Sequence, residues 1–123
     1  MPRSHILICD DETGIRESLR LILEQDYLLT YASHGRDAVE YIRRNDPDLL
    51  IMDIKMPLLN GLDALREIKR AKPRQRVLII TGYESSDVAA EAIQAGATDY
   101  LTKPFDRATV KEKVRNLLST GLS

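Results

Sequence analysis

Asp10 and Asp11 stand side by side directly after the apolar run Ile6-Leu7-Ile8-Cys9. Carboxylates held that close repel and raise one another's pKa, so a folded chain keeps them where water, a cation or a basic partner compensates. The stretch "CDDETG" therefore asks for a counterion, although one member of the pair could equally open a solvated loop and cap the helix behind it. Other reactive types close later apolar runs in the same manner: Asp53 ends "DLLIMD", Thr81 ends "RVLIIT" and Lys103 follows "TDYLT". Asp10, Asp11 and Asp53 gathered on one edge form a hard oxygen cage suited to Mg²⁺ (or Mn²⁺), which takes one or two protein carboxylates and keeps several waters. The Thr81 hydroxyl and Lys103 ammonium add a donor and a positive charge, both suited to a phosphoryl group on the same metal. Taken singly, Thr81 could merely finish a strand and Lys103 could be a surface lysine. Their joint placement carries the reading.

That placement requires elements which bring distant positions to one edge. The runs 5–9, 27–32, 48–53, 76–81 and 98–102 read as five strands, and three of them (Ile6 to Cys9, Leu49 to Met52, Val77 to Ile80) are continuously apolar rather than alternating. Parallel strands covered on both faces look like this. Between them the spacing turns helical. Ile15, Leu19, Ile22 and Leu23 fall at i, i+4, i+7 and i+8, a pattern repeated by Val110, Val114, Leu117 and Leu118. Ala38 and Ile42 mark a second helix, Leu62, Leu65 and Ile68 a third, and Val88, Ala92 and Ala95 a fourth. Gly96 is the expected stop of the fourth and Asp106 the expected N-cap of the fifth. The string is (βα)5. Right-handed crossovers turn it into an α/β, doubly wound parallel sheet, whose sites lie at the C-terminal strand ends.

The chain has 123 residues, enough for one domain with a single core. Its 18 basic and 19 acidic residues leave a formal net charge of -1, which gives no electrostatic case for direct nucleic-acid binding or for an anionic membrane. The single cysteine, Cys9, sits in an apolar run and reads as a small core residue of a reducing, cytoplasmic compartment. The start "MPRSHILICD" holds no apolar segment long enough for a signal peptide or membrane span. The expected domain covers 1–119, and "STGLS" reads as running into a tail or linker over 120–123. His5 and His34, at a strand start and beside a turn, receive no functional role.

The combination of "ILICDDE", "LLIMDIKMPLLNGLDALREIK", "VLIITGY" and "AGATDYLTKPF" resembles the response-regulator receiver family of two-component signalling over nearly the whole chain. The resemblance implies a flavodoxin-like strand order 2-1-3-4-5, with the switch point where Asp10, Asp11 and Asp53 meet. It implies that Asp53 is the phosphoacceptor for a histidine kinase or phosphotransfer protein, and that Asp10, Asp11, Asp53 and the backbone carbonyl of Lys55 hold Mg²⁺. It further implies that Thr81 is the switch hydroxyl, that Lys103 contacts the phosphoryl oxygens, that Tyr100 turns inward on activation, and that Lys103 and Pro104 share a cis peptide. The message would leave through the fourth helix, fifth strand and fifth helix, to an output domain or protein downstream or through a phosphorylation-dependent homodimer. Receivers of enhancer-binding transcription activators carry similar runs, as do hybrid kinases. Lys55 and Tyr83, each two residues past a site residue, are the side chains expected to govern water access to the phosphoryl group.

Two other chemistries fit less well. A Mg²⁺-dependent phosphatase of the haloacid-dehalogenase type places its aspartate nucleophile after the first strand in a D-x-D pattern, which "CDDETG" lacks. Nucleotide and flavin modules use Gly-rich phosphate loops, and neither G-x-G-x-x-G nor G-x-x-x-x-G-K-[ST] is present. A receiver-like interaction module that is never phosphorylated has no reason to keep Asp53, Thr81 and Lys103 together.

Overall fold

The computed structural model describes residues 3–55, 60–82 and 86–119. Tyr83 and the expected tail at 120–123 lie outside the described residues. Five strands alternate with five helices: β1 His5–Cys9, α1 Thr13–Leu23, β2 Leu28–Ala32, α2 Gly35–Arg44, β3 Leu49–Asp53, α3 Gly61–Ala71, β4 Val77–Thr81, α4 Ser86–Gln94, β5 Asp99–Thr102 and α5 Arg107–Ser119. All neighbouring strands are parallel, in the order β2-β1-β3-β4-β5. Each expected strand is present, trimmed by at most a residue at its start.

The continuous apolar runs explain the layers. Side chains of a strand alternate between faces, so an unbroken run supplies both. Leu7, Cys9, Leu50, Met52, Val77 and Ile79 pack with Ala38, Val39 and Ile42 of α2, Ala64, Leu65 and Ile68 of α3, and Ala92 of α4. Ile6, Ile8, Leu49, Ile51, Leu78 and Ile80 pack on the other face with Leu19 and Leu23 of α1 and Val110, Val114 and Leu117 of α5. Every residue of β3 and β4 is buried, and each fully buried Leu or Ile contributes about 1.5–3 kcal/mol. Among the described residues no helix is long and apolar enough to cross a membrane.

The punctuation residues act as their types dictate. Gly96 has φ +115°, and its N–H and that of Ala97 donate to the carbonyls of Ile93 and Ala92 at 3.0 Å each, a Schellman close for α4. The Asp106 carboxylate accepts the Thr109 N–H at 2.7 Å ahead of α5, which holds its pKa below the usual carboxylate range. Cys9 is a core thiol, pushed up to about 12 by burial and then by the nearby carboxylates of Asp10, Asp37, Asp53 and Asp11.

Candidate functional site

Register brings the acids together. Cys9 pairs with Met52 and Asp53 with Ile80, so Asp10 comes level with Asp53 one step beyond the last β1–β3 pair. Thr81 pairs with Thr102, which puts Lys103 at the same edge, and the Lys103 N–H donates to the Thr81 carbonyl at 2.9 Å. Ligand atoms of Asp10, Asp11, Glu12 and Asp53 all lie within 4.8 Å of one another.

The two inner acids are treated differently. Asp53 is 3% exposed, with Oδ2 accepting Lys103 Nζ at 2.8 Å and Oδ1 accepting the Lys55 N–H at 2.9 Å. Asp10 is fully buried; its Oδ1 accepts the Glu12 N–H at 2.8 Å, but its Oδ2 has no hydrogen-bond partner among the described residues and stands 3.9 Å from Lys103 Nζ. Burial, partly offset by the Glu12 bond, and then the Asp53 charge push the Asp10 carboxyl up to about 7. Burial alone would lower Lys103, yet its hydrogen bond to Asp53, with the charges of Asp53, Asp10 and Glu12, raises it. One ammonium is thus shared among Asp53, Asp10 and Glu12, the last at 3.4 Å. The buried, unpartnered Asp10 oxygen beside a hard carboxylate set is what a small divalent cation would satisfy.

The outer residues also have definite places. Asp11 and the Lys55 side chain are exposed. Thr81 is buried and its Oγ1 donates to the Gly82 carbonyl at 2.7 Å, at the wall of a cavity of about 360 Å³ shared with Ile54, Lys55, Asn60, Leu62, Gly82 and Val88. Tyr100 on β5 is 39% exposed, its ring under Lys113 Nζ at 5.6 Å from the centroid. The Lys103–Pro104 peptide is cis.

A family model of the response regulator receiver domain matches residues 6–115. The chain belongs to that family. This receiver is 35% identical over 115 residues to the chemotaxis protein CheY of Halobacterium salinarum, covering 93% of the chain and 96% of the relative. It is 39% identical over 119 residues to the response regulator protein PilR of Pseudomonas aeruginosa, covering 96% of the chain but 27% of the relative. A receiver domain structure from Clostridium thermocellum superposes with TM-score 0.88 at 34% identity, covering 95% of each chain, and NtrX from Brucella abortus with TM-score 0.91 at 31% identity, covering 97% of this chain and 28% of that one. Receiver domains of two-component response regulators are regulatory signalling domains. Accepting a phosphoryl group is the family's general function, and they interact with histidine kinases and downstream output domains.

Sequence reading passed over three residues of this receiver's site. Glu12 joins the acid cluster, and "DDE" already displayed it. Arg16 reaches back to the Asp10 carbonyl, which no periodicity announces. Gly61 opens α3 against the chain just past Asp53: a Cβ there would stand 2.4 Å from Ile54 Cα and 2.7 Å from the Asp53 carbonyl oxygen. Its signal was the pair Asn60-Gly61, in which Asn60 caps the helix by accepting the Asp63 N–H at 2.9 Å and glycine permits close backbone approach.

Proposed function

We propose that this receiver, a unit spanning 1–119 with 120–123 as tail or linker, takes a phosphoryl group from a kinase phosphohistidine onto Asp53. The observation that carries the proposal is the Asp53 carboxylate itself: nearly buried, held at one oxygen by a backbone N–H and at the other by the Lys103 ammonium. An Asp53 oxygen attacks phosphorus, the O–P bond forms, the P–N bond breaks, and the electron pair leaves with the imidazole nitrogen. Asp10, Asp11, Asp53 and the Lys55 carbonyl would hold Mg²⁺, which when bound offsets negative charge on the transferring group. Lys103 turns its ammonium from Asp53 toward the phosphoryl oxygens, so catalysis is positioning and electrostatics. The cytoplasm, where histidine kinases present their phosphohistidines, is the proposed compartment.

Signalling follows as a shift in population. The Thr81 hydroxyl, now given to its own neighbour's carbonyl, rotates to the phosphoryl group. The loop beyond it and α4 follow, and Tyr100 leaves Lys113 and turns inward. The α4–β5–α5 face carries the message to an output domain or to a second copy. The likeness to PilR supports an enhancer-binding transcription activator as the parent protein. Lys55 and Tyr83, two residues past Asp53 and Thr81 in sequence, are large side chains that offer no amide or carboxylate to orient an attacking water, so the phosphoryl group is long-lived; the Lys55→Asn, Tyr83→Glu double variant loses it faster.

Acetyl phosphate with Mg²⁺ tests the assignment by intact mass. One added phosphoryl group on the native chain and none on Asp53→Asn is the expected result. Equal labelling of Asp53→Asn, or labelling that survives a chelator, would overturn it.

A further inference from the structure

Arg16 occupies the first turns of α1, half-buried, and its guanidinium is spent on neutral partners. Nη1 donates to the main-chain carbonyl of Asp10, and Nη2 donates to Thr13 Oγ1 at 3.2 Å. One turn along the same helix, Arg20 behaves as arginines on helices usually do, pairing Glu17 at 2.8 Å and Glu24 at 2.9 Å. Arg16 makes no ion pair among the described residues although Asp10, Asp11 and Glu12 precede it by six residues or fewer. Helix formation does not account for it either. A cation near a helix N-terminus opposes the macrodipole, and Glu12, the N-cap residue of α1, makes no side-chain cap hydrogen bond.

What Arg16 does is complete the hold on Asp10. The Asp10 N–H donates to the Ala32 carbonyl at 3.1 Å, its Oδ1 accepts the Glu12 N–H at 2.8 Å, and its carbonyl accepts the guanidinium. The carbonyl contact is charge-assisted and fixes the Asp10–Asp11 peptide plane, which sets the direction in which the Asp11 carboxylate leaves the chain. We propose that Arg16 is a positioning residue that orients this peptide so that Asp10 Oδ2 and Asp11 converge on one divalent cation. The inference rests on the receiver reading above, in which that cluster holds Mg²⁺.

Positioning and simple charge predict opposite signs. A guanidinium acting only through its charge repels a cation, so its removal would tighten Mg²⁺ binding. A guanidinium holding the loop loosens the site when removed, and outer partners of metal ligands typically change affinity by about 10–100-fold. The test is a Mg²⁺ titration of the full chain, followed by backbone amide shifts, with thermal melts and amide exchange at Glu12 measured without metal. Arg16→Ala and the neutral Arg16→Gln should weaken Mg²⁺ about tenfold or more, Arg16→Lys should recover part of the loss, and Thr13→Val should cost least. In the metal-free protein Arg16→Gln should speed exchange of the Glu12 amide. Mg²⁺ affinity unchanged or raised in Arg16→Gln would overturn the proposal. A native chain that binds no Mg²⁺ would overturn the receiver chemistry instead, and unchanged Glu12 exchange would then dispose of the positioning role by itself.

Discussion

The two edges of the sheet use polar residues in contrasting ways. At the N-terminal edge they are matched to fixed neighbours: the His5 N–H donates to Asp48 Oδ2 at 2.7 Å, and His5 Nε2 lies 2.7 Å from Thr30 Oγ1 and 3.3 Å from the Tyr41 hydroxyl. Buried Gln75 donates to the carbonyls of Pro47 and Arg76 at 3.1 Å each, Lys69 donates to the Gln75 carbonyl at 2.7 Å, and Lys72 pairs with Asp46. At the C-terminal edge Asp10, Asp11, Glu12 and Asp53 crowd one another around a single shared ammonium, and a buried carboxylate oxygen goes unpartnered among the described residues. The larger hollow lies at the satisfied edge, about 540 Å³ between Asp46, Pro47, Lys72 and Gln75. Cavity size does not mark the site here. Unrelieved charge does, because a fold that can satisfy its polar groups at one end keeps repulsion at the other only where something else relieves it.

That contrast can be broken most severely at Lys103. Lys103→Met removes the ammonium from Asp53, and phosphorylation by acetyl phosphate should slow about 10²–10³-fold, the usual cost of one preorganised charge donor; a rate within a factor of about two would show that Lys103 is a structural counterion only. At the opposite edge, Gln75→Leu strands the Pro47 carbonyl, whereas the Arg76 carbonyl keeps the Leu50 N–H at 2.9 Å, and should cost about 1–3 kcal/mol in denaturant melts while leaving the phosphorylation rate unchanged. A fall in rate without a fall in stability would mean that the edges are not independent.

Smaller effects sharpen the same contrast. Because the folded Asp10 carboxyl titrates near 7 instead of at its ordinary 3.8, the folded state binds that proton more tightly than the unfolded chain. Stability of the metal-free protein should therefore rise as pH falls from about 7 to 5, with a slope of at most about 1.4 kcal/mol per pH unit. Asp10→Asn should flatten the slope, and Mg²⁺ binding should weaken over the same window as the proton competes. Melts across pH in a chelator decide this, and a native profile that matches Asp10→Asn would remove Asp10 as the strained group. The smallest effect is expected at exposed Asp11: Asp11→Asn should raise the metal-free melting temperature slightly and lower Mg²⁺ affinity, two opposite signs from one substitution. A lowered metal-free melting temperature would mean that Asp11 is not repelled by its neighbours.

Short unbroken apolar runs and period-3.6 helices are local facts of the chain, and each residue's face follows from its neighbours in sequence. Ile6 to Cys9, Leu49 to Met52 and Val77 to Ile80 therefore determined a doubly covered parallel sheet, and the residues just past them, Asp10, Asp53 and Thr81, had to share its C-terminal edge. Which groups touch across that edge is decided elsewhere. The Cys9–Met52 register sets Asp10 against Asp53, two successive crossovers bring Lys103 Nζ to Asp53 Oδ2 across a sequence separation of 50, and the bare Cα of Gly61 lets α3 close against Ile54. The sequence listed Thr81 as a hydroxyl at a strand end, but only the fold gave that hydroxyl to Gly82 and left Tyr100 outside under Lys113. Arg16 was one of several helix arginines until α1 docked and aimed it at the Asp10 carbonyl. Periodicity is written along the chain, whereas pairing between distant residues depends on register and docking angle, which are fixed only when the whole core packs.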